Sequence, residues 1–169
     1  MNWNGMPSVL TRLALVAGVT FGAGFAVSAQ SVKEGPFGGL SGQWSGTGTI
    51  AVSNGSNERI RCRSSYSVTP SGEALHQELR CASDSYKFEV TSNVLADANG
   101  ALSGTWTENT RQVTGAVTGR VTPGQIQTSV NGSAFSATLL VSTKGGKQAV
   151  SIHPQGTDIK SIDIEMRRS

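Results

Sequence analysis

Arg59-Ile-Arg-Cys-Arg-Ser-Ser-Tyr-Ser-Val-Thr69, then Pro70-Ser-Gly-Glu73, then Ala74-Leu-His-Gln-Glu-Leu-Arg-Cys-Ala82 is the stretch that decides the fold. Two alternating runs flank a turn-forming tetrapeptide, which is how a β-hairpin is written in sequence. If Thr69 pairs with Ala74, cross-strand partners have residue numbers that sum to 143, and Cys62 falls opposite Cys81. Directly opposed side chains on one face are the closest neighbours in an antiparallel pair, near enough for a disulfide at a non-hydrogen-bonded position. The register puts Ile60, Cys62, Ser64, Tyr66 and Val68 on one face with Ser83, Cys81, Leu79, Gln77 and Leu75. It sends Arg59, Arg61, Arg63, Glu78 and Arg80 to the other. A one-residue slip would invert both faces, so the agreement between the strands supports the pairing. Closing a loop of about 20 residues stabilises the fold by roughly 3 kcal/mol in the chain-entropy model.

The two cysteines are the only ones among 169 residues, and one disulfide in a small chain implies an exported protein. The first residues agree. Arg12 precedes Leu13-Ala-Leu-Val-Ala-Gly-Val-Thr-Phe-Gly-Ala-Gly-Phe-Ala26, then Val27-Ser-Ala29. A cationic start, a short apolar centre and small residues at a cut site predict a signal peptide over 1–29. The alternative, an uncleaved anchor, needs an apolar run nearer to 20 residues. Removing residues 1–29 takes away Arg12 and no carboxylate, leaving 13 basic residues against 11 acidic ones. That balance does not suggest nucleic acid binding, which shows clustered Lys and Arg on one face. Residues 30–40, with Gly35-Pro-Phe-Gly-Gly39, lack periodicity and read as a flexible arm. Residues 41–169 are one domain by size, expected to be monomeric, with no membrane span after cleavage.

From Ser41 onward the apolar residues recur at every second position, the period of a strand with one buried face. Strands are expected around Trp44–Val52, the hairpin, Tyr86–Val94, Leu102–Trp106, Val113–Val121, Gln125–Val130, Phe135–Val141, Val150–Ile152 and Ile162–Met166. Turn signals separate them: Asn54-Gly55, Asp97-Ala-Asn-Gly100, Pro123-Gly124, Asn131-Gly132 and Gly145-Gly146. Strands every 8–12 residues with no helix of three turns predict an all-β protein. The strictly sequential hairpins predict an up-and-down antiparallel meander of about 8–10 strands in a closed or nearly closed barrel. Inward glycines (Gly46, Gly48, Gly104, Gly115, Gly119) suit a strongly coiled sheet. The phrase Leu40-Ser-Gly-Gln-Trp44 is echoed by Leu102-Ser-Gly-Thr-Trp106, which we read as two similar strand openings rather than a duplication.

Catalytic patterns are sparse. His76 and His153 have no partners at metal-ligand spacing. Gly46-Thr-Gly48 lacks the helix and the Lys-Ser/Thr of a phosphate loop, and no Ser sits in Gly-x-Ser-x-Gly. Glu108, Asp158 and Asp163 are scattered, with no pairing in sequence. The sequence therefore predicts neither an enzyme nor a cofactor or metal site. Asn54-Gly-Ser56 and Asn131-Gly-Ser133 read as turn chemistry rather than glycosylation sites. An outer-membrane barrel needs an apolar lipid face, whereas the outward set here is Arg, Lys, Glu, Thr and Ser.

Two groups are candidates for function. Trp44, Tyr66, Gln77, Phe88, Trp106 and Phe135 are inward, and an aromatic cavity with a few polar groups is what a small-ligand site needs; alternatively they fill the barrel. Arg59, Arg61, Arg63, Arg80 and Lys87 share the outer face, with Glu78 and Glu89 interspersed. That face meets an anionic partner, or it is a charged surface that keeps the sheet in solution.

Leu40-Ser-Gly-Gln-Trp44 resembles the Gly-x-Trp opening of lipocalin-like (calycin) barrels. That resemblance implies a tryptophan closing one barrel end with Arg167 or Arg168 packed on it, a contact worth ~0.5–2 kcal/mol. Gly100-Ala-Leu-Ser-Gly-Thr-Trp106 is similar to a phrase of avidin-like barrels, without the biotin-site pattern. Leu40-Ser-Gly-Gln-Trp44 behind an N-terminal arm, with one cysteine pair, also resembles periplasmic inhibitors of bacterial metalloproteases, although the chain is longer and its arm lacks the inhibitory segment. Ser41-Gly-x-Trp-x-Gly-x-Gly48, Arg59-Ile-Arg-Cys-Arg63 and Leu79-Arg-Cys-Ala-Ser-Asp-Ser-Tyr86 are similar to uncharacterised exported bacterial proteins. The expectation is a periplasmic or secreted, non-enzymatic barrel that binds a small apolar or amphipathic ligand. The rival is a protein-binding module, such as a protease inhibitor, that uses the arm or the arginine face.

Overall fold

The computed structural model describes residues 35–133 and 135–169. The signal peptide expected over 1–29 and residues 30–34 of the expected arm lie outside the described residues. Ten strands follow one another: β1 (Gly42–Val52), β2 (Asn57–Val68), β3 (Ala74–Ala82), β4 (Lys87–Ala96), β5 (Ala101–Glu108), β6 (Val113–Thr122), β7 (Gln125–Gly132), β8 (Ser136–Lys144), β9 (Lys147–Gln155) and β10 (Ile159–Arg168). Each pairs antiparallel with the next, and β1 pairs with β10, so the meander closes into a barrel. Closure leaves no sheet edge to be covered.

The cysteine hairpin has the register its turn dictates. Cys62 lies opposite Cys81, Arg63 opposite Arg80, Tyr66 opposite Gln77 and Val68 opposite Leu75. Cys62 and Cys81 form a disulfide with their Cα atoms 4.1 Å apart, the close spacing of a non-hydrogen-bonded pair. Both cysteines are buried on the inner wall. The disulfide assigns the folded protein to an oxidising, non-cytoplasmic compartment.

Alternation decides what faces where. In β1, Trp44, Ile50 and Val52 are buried between exposed Ser45, Thr47 and Thr49; in β10, Ile162, Ile164 and Met166 are buried between polar neighbours. Large apolar side chains exposed outside are Leu95 and Leu140.

One expectation is corrected. Residues 35–40, read as part of a flexible arm, form a turn that plugs one end of the barrel. Phe37 and Leu40 are among the most deeply buried residues, at 1% and 4% exposure. The Phe37 N–H donates to the Gly72 carbonyl and the Leu40 N–H to that of Phe37. The turn can sit this close because Gly72, at φ +72°, has no side chain: a Cβ there would come 2.5 Å from Gly35 Cα. One aromatic among glycines has no periodicity to signal burial, yet it covers an end that strands alone leave open.

Candidate functional site: a one-ended chamber inside the barrel

Ten strands enclose more space than their inward side chains fill, and a chamber of about 500 Å³ remains. That volume lies in the range of small-molecule sites. Its wall is mainly aliphatic and aromatic: Leu79, Val90, Val117, Val130, Leu139 and Ile152 contribute, with Phe88, Trp106 and Phe135.

The two ends differ. The floor is formed where β1 begins and β10 ends. Phe37, Tyr66, Gln148 and Met166 are buried there. Trp44 lies behind this layer, in edge contact with Tyr66 at 6.4 Å between ring centroids, and its Nε1–H donates to the Leu40 carbonyl. Trp44 was expected to line a ligand site; it closes the barrel end and is not on the chamber wall. The Arg168 guanidinium lies 5.0 Å from the Trp44 ring centroid and donates to the Gly39 carbonyl, so of the two C-terminal arginines it is Arg168 that packs on the tryptophan.

The opposite end is the mouth. Exposed Arg111, Thr157 and Asp158 line it together with half-exposed Tyr86, Phe88, Phe135 and Pro154. Tyr86 stacks on Phe88 and donates from its hydroxyl to Asp158 Oδ2 at 2.9 Å, linking the β3–β4 turn to the β9–β10 turn. That hydrogen bond, with some desolvation and the Asp158 charge, raises the Tyr86 pKa, so the hydroxyl stays a donor.

Tyr66, Gln77, Phe88, Trp106 and Phe135 all reach the chamber wall. Trp106 contacts Phe135 edge-on at 5.1 Å and lies over Gly115 and Gly132. A Cβ on Gly115 would come 2.6 Å from its Nε1, and one on Gly132 2.9 Å from its Cζ2. These glycines, placed inward by the strand period, make room for the indole. Its Nε1–H is buried without a hydrogen-bond partner among the described residues.

Polar groups on the floor form one chain. Gln77 Nε2 donates to Tyr66 Oη at 3.1 Å and Ser64 Oγ at 3.4 Å; Tyr66 donates to Gln148 Oε1 at 3.1 Å, and Gln148 Nε2 to Thr143 Oγ1 at 3.3 Å. Burial raises the Tyr66 pKa, and the polar contacts of its hydroxyl with Ser64, Gln148 and Gln77 partly offset that rise. Gln77 Oε1 accepts no hydrogen bond among the described residues. Among the described residues no Lys or Arg lies on the floor, and Arg111 at the mouth is the cation of the lining.

Glu108 and Asp158, scattered in sequence, both line the mouth, while Asp163 lies outside, accepting from Ser151 and Ser161. The Glu108 carboxylate accepts from the Glu89 N–H, the Thr110 hydroxyl and the Arg111 N–H at 2.7–3.0 Å. Burial pushes its pKa up, but these hydrogen bonds outweigh burial and hold it below the usual value. A carboxylate so fully engaged is a clasp for the β5–β6 turn rather than a proton donor. His76 bonds Asn93 and lies 3.8 Å from Glu78 on the outer face, and His153 is exposed.

Phe37, Gln148 and Arg111 were not singled out from sequence. The period through Gln148, Val150 and Ile152 does place Gln148 inward; Phe37 and Arg111 sit in turns and carry no such signal. No protein-family model matches the chain, and no curated protein sequence matches it.

Proposed function

We propose that this is an exported, non-enzymatic binding protein, periplasmic or secreted, whose barrel holds one small apolar or amphipathic molecule. The observation that carries the reading is the chamber: about 500 Å³, largely apolar, plugged at one end and open at the other. Burying apolar ligand surface there contributes about 25 cal/mol per Å². The floor adds a preference. With Gln77 Oε1 unbonded and no cation within reach, it suits a neutral hydroxyl or amide N–H and rejects a carboxylate, which would be buried without a counter-charge.

The test is titration with the neutral apolar fluorophore N-phenyl-1-naphthylamine, on the protein and on Val90→Trp, which places an indole in the chamber. Saturable binding at one site, weakened about tenfold or more in Val90→Trp as the lost volume requires, supports the proposal. Absence of saturable binding, or equal binding by both proteins, overturns it.

The rival reading, a protein-binding module, draws support from the arginine face, where Arg59, Arg61, Arg63 and Arg80 are exposed. Its arm version is weakened because residues 35–40 are committed to the plug. Replacing residues 30–34 while keeping the plug separates the two: an arm-type inhibitor loses its activity, and a ligand carrier keeps its affinity for the fluorophore.

A further inference from the structure

The barrel register assembles a second feature, on the outside, from residues far apart in sequence. Arg80 on β3 is directly opposite Arg63 on β2, Arg63 is opposite Ser45 on β1, and Ser45 is opposite Arg167 on β10. Arg167 is opposite Lys147 on β9, and Lys147 is opposite Lys144 on β8. One lateral row across six adjacent strands thus carries five cations and a serine, all exposed. With strands ~4.8 Å apart, it runs about 24 Å around the barrel.

Among the described residues, none of the five cations makes an ion pair or a side-chain hydrogen bond. Nearby carboxylates are few and partly engaged. Glu89, opposite Arg80 on β4, pairs with Lys87 at 2.9 Å, and Glu78 lies 3.8 Å from His76. Glu165 sits one row away, opposite Thr47. Like charges directly opposite in a sheet weaken it, so the row works against the fold that carries it. A bound polyanion would remove that repulsion.

The shape of the row selects the partner. Six of ten strands make up more than half of the circumference, so a flat lipid surface would meet only part of the row while a linear chain can follow it. The flanking row on one side carries Ser65, Gln43 and Ser169 beside Glu78, and the row on the other carries Arg61, Thr47, Glu165 and Ala149; the hydroxyl and amide groups among them suit sugar hydroxyls. Tyr86, Phe88, Trp106 and Phe135 are directed to the chamber and its mouth, so among the described residues these aromatics offer the row no stacking platform of the kind that single-stranded nucleic acids use. Arginine forks match carboxylates bidentately. We propose that the row is a binding track for a linear anionic polysaccharide, independent of whatever occupies the chamber.

The test is fluorescence anisotropy of a labelled oligogalacturonate long enough to span the row. The protein is compared with Arg63→Gln/Lys147→Gln/Arg167→Gln and with Arg59→Gln/Arg120→Gln/Lys160→Gln, which loses the same charge outside the row. At about 50 mM salt the row variant should bind about tenfold or more weakly with a shallower salt dependence, and the control within about twofold. Circular dichroism confirms folding, and Arg63→Lys/Arg167→Lys, which keeps charge and loses the forks, should fall between. Neutral dextran should not compete. Equal loss in the control, or equal displacement by single-stranded DNA or by vesicles rich in anionic lipid, would overturn the proposal, as would no binding by the unaltered protein.

Discussion

Truncating Phe37 to alanine tests whether residues 35–40 are a built-in stopper. The ring is 1% exposed, and the turn is tied to the β2–β3 hairpin by the hydrogen bond from Phe37 N–H to Gly72. Phe→Ala at buried sites costs about 3–5 kcal/mol, part of it from the cavity left behind. Phe37 already borders the chamber, so less tight packing is lost than in a solid core, and about 3 kcal/mol is expected. For a domain of this size that is a fall in Tm of about 10–15 °C. Phe37→Leu should cost about 1–1.5 kcal/mol. The assay is urea unfolding with the disulfide intact, followed by near-ultraviolet circular dichroism. A loss below about 1 kcal/mol for Phe37→Ala would refute the argument and return residues 35–40 to the status of a free arm.

The remaining predictions concern the staple, the closed end and the mouth. Cys62→Ala/Cys81→Ala, opening a crosslink across a separation of 19 residues, should lose about 3 kcal/mol in denaturant unfolding. In the native protein the bond should resist dithiothreitol, as judged by mass after alkylation, because both cysteines are buried. Arg168→Ala removes the cation from the Trp44 face and the donor to Gly39, an expected loss of about 1–2 kcal/mol in urea unfolding. The pKa of Glu108 is lowered on folding, so its stabilisation is complete above the ordinary value of 4.5 and is lost as pH falls through the lower folded value. Tm measured from pH 6 to pH 3 should therefore fall less steeply in Glu108→Gln than in the unaltered protein.

Much of the fold was legible because strand alternation and turn chemistry are local and repeated. All ten strands could be read from the period of two and from pairs such as Asn54-Gly55 and Gly145-Gly146, and the cysteine register from one turn. Closure itself is a non-local property, expected from sequential hairpins but made by β1 meeting β10. The chamber was less legible. Periodicity says that Trp44 and Trp106 both point inward, but not that one is sealed beneath the floor and the other lies on the wall. Phe37 was missed because a lone aromatic between glycines has no pattern. The cationic row was missed in part: Arg63 and Arg80 stand in the hairpin, but Arg167, Lys147 and Lys144 join them only when the barrel closes.

The central claim is that the interior is a ligand chamber, and native mass spectrometry of the disulfide-bonded protein tests it most directly. The account predicts a reproducible adduct of one small, apolar molecule, retained under gentle ionisation and lost on denaturation. It further predicts that Val90→Trp emerges from the same cells without it. A bare mass for the unaltered protein, unchanged after incubation with apolar candidates, would contradict the account.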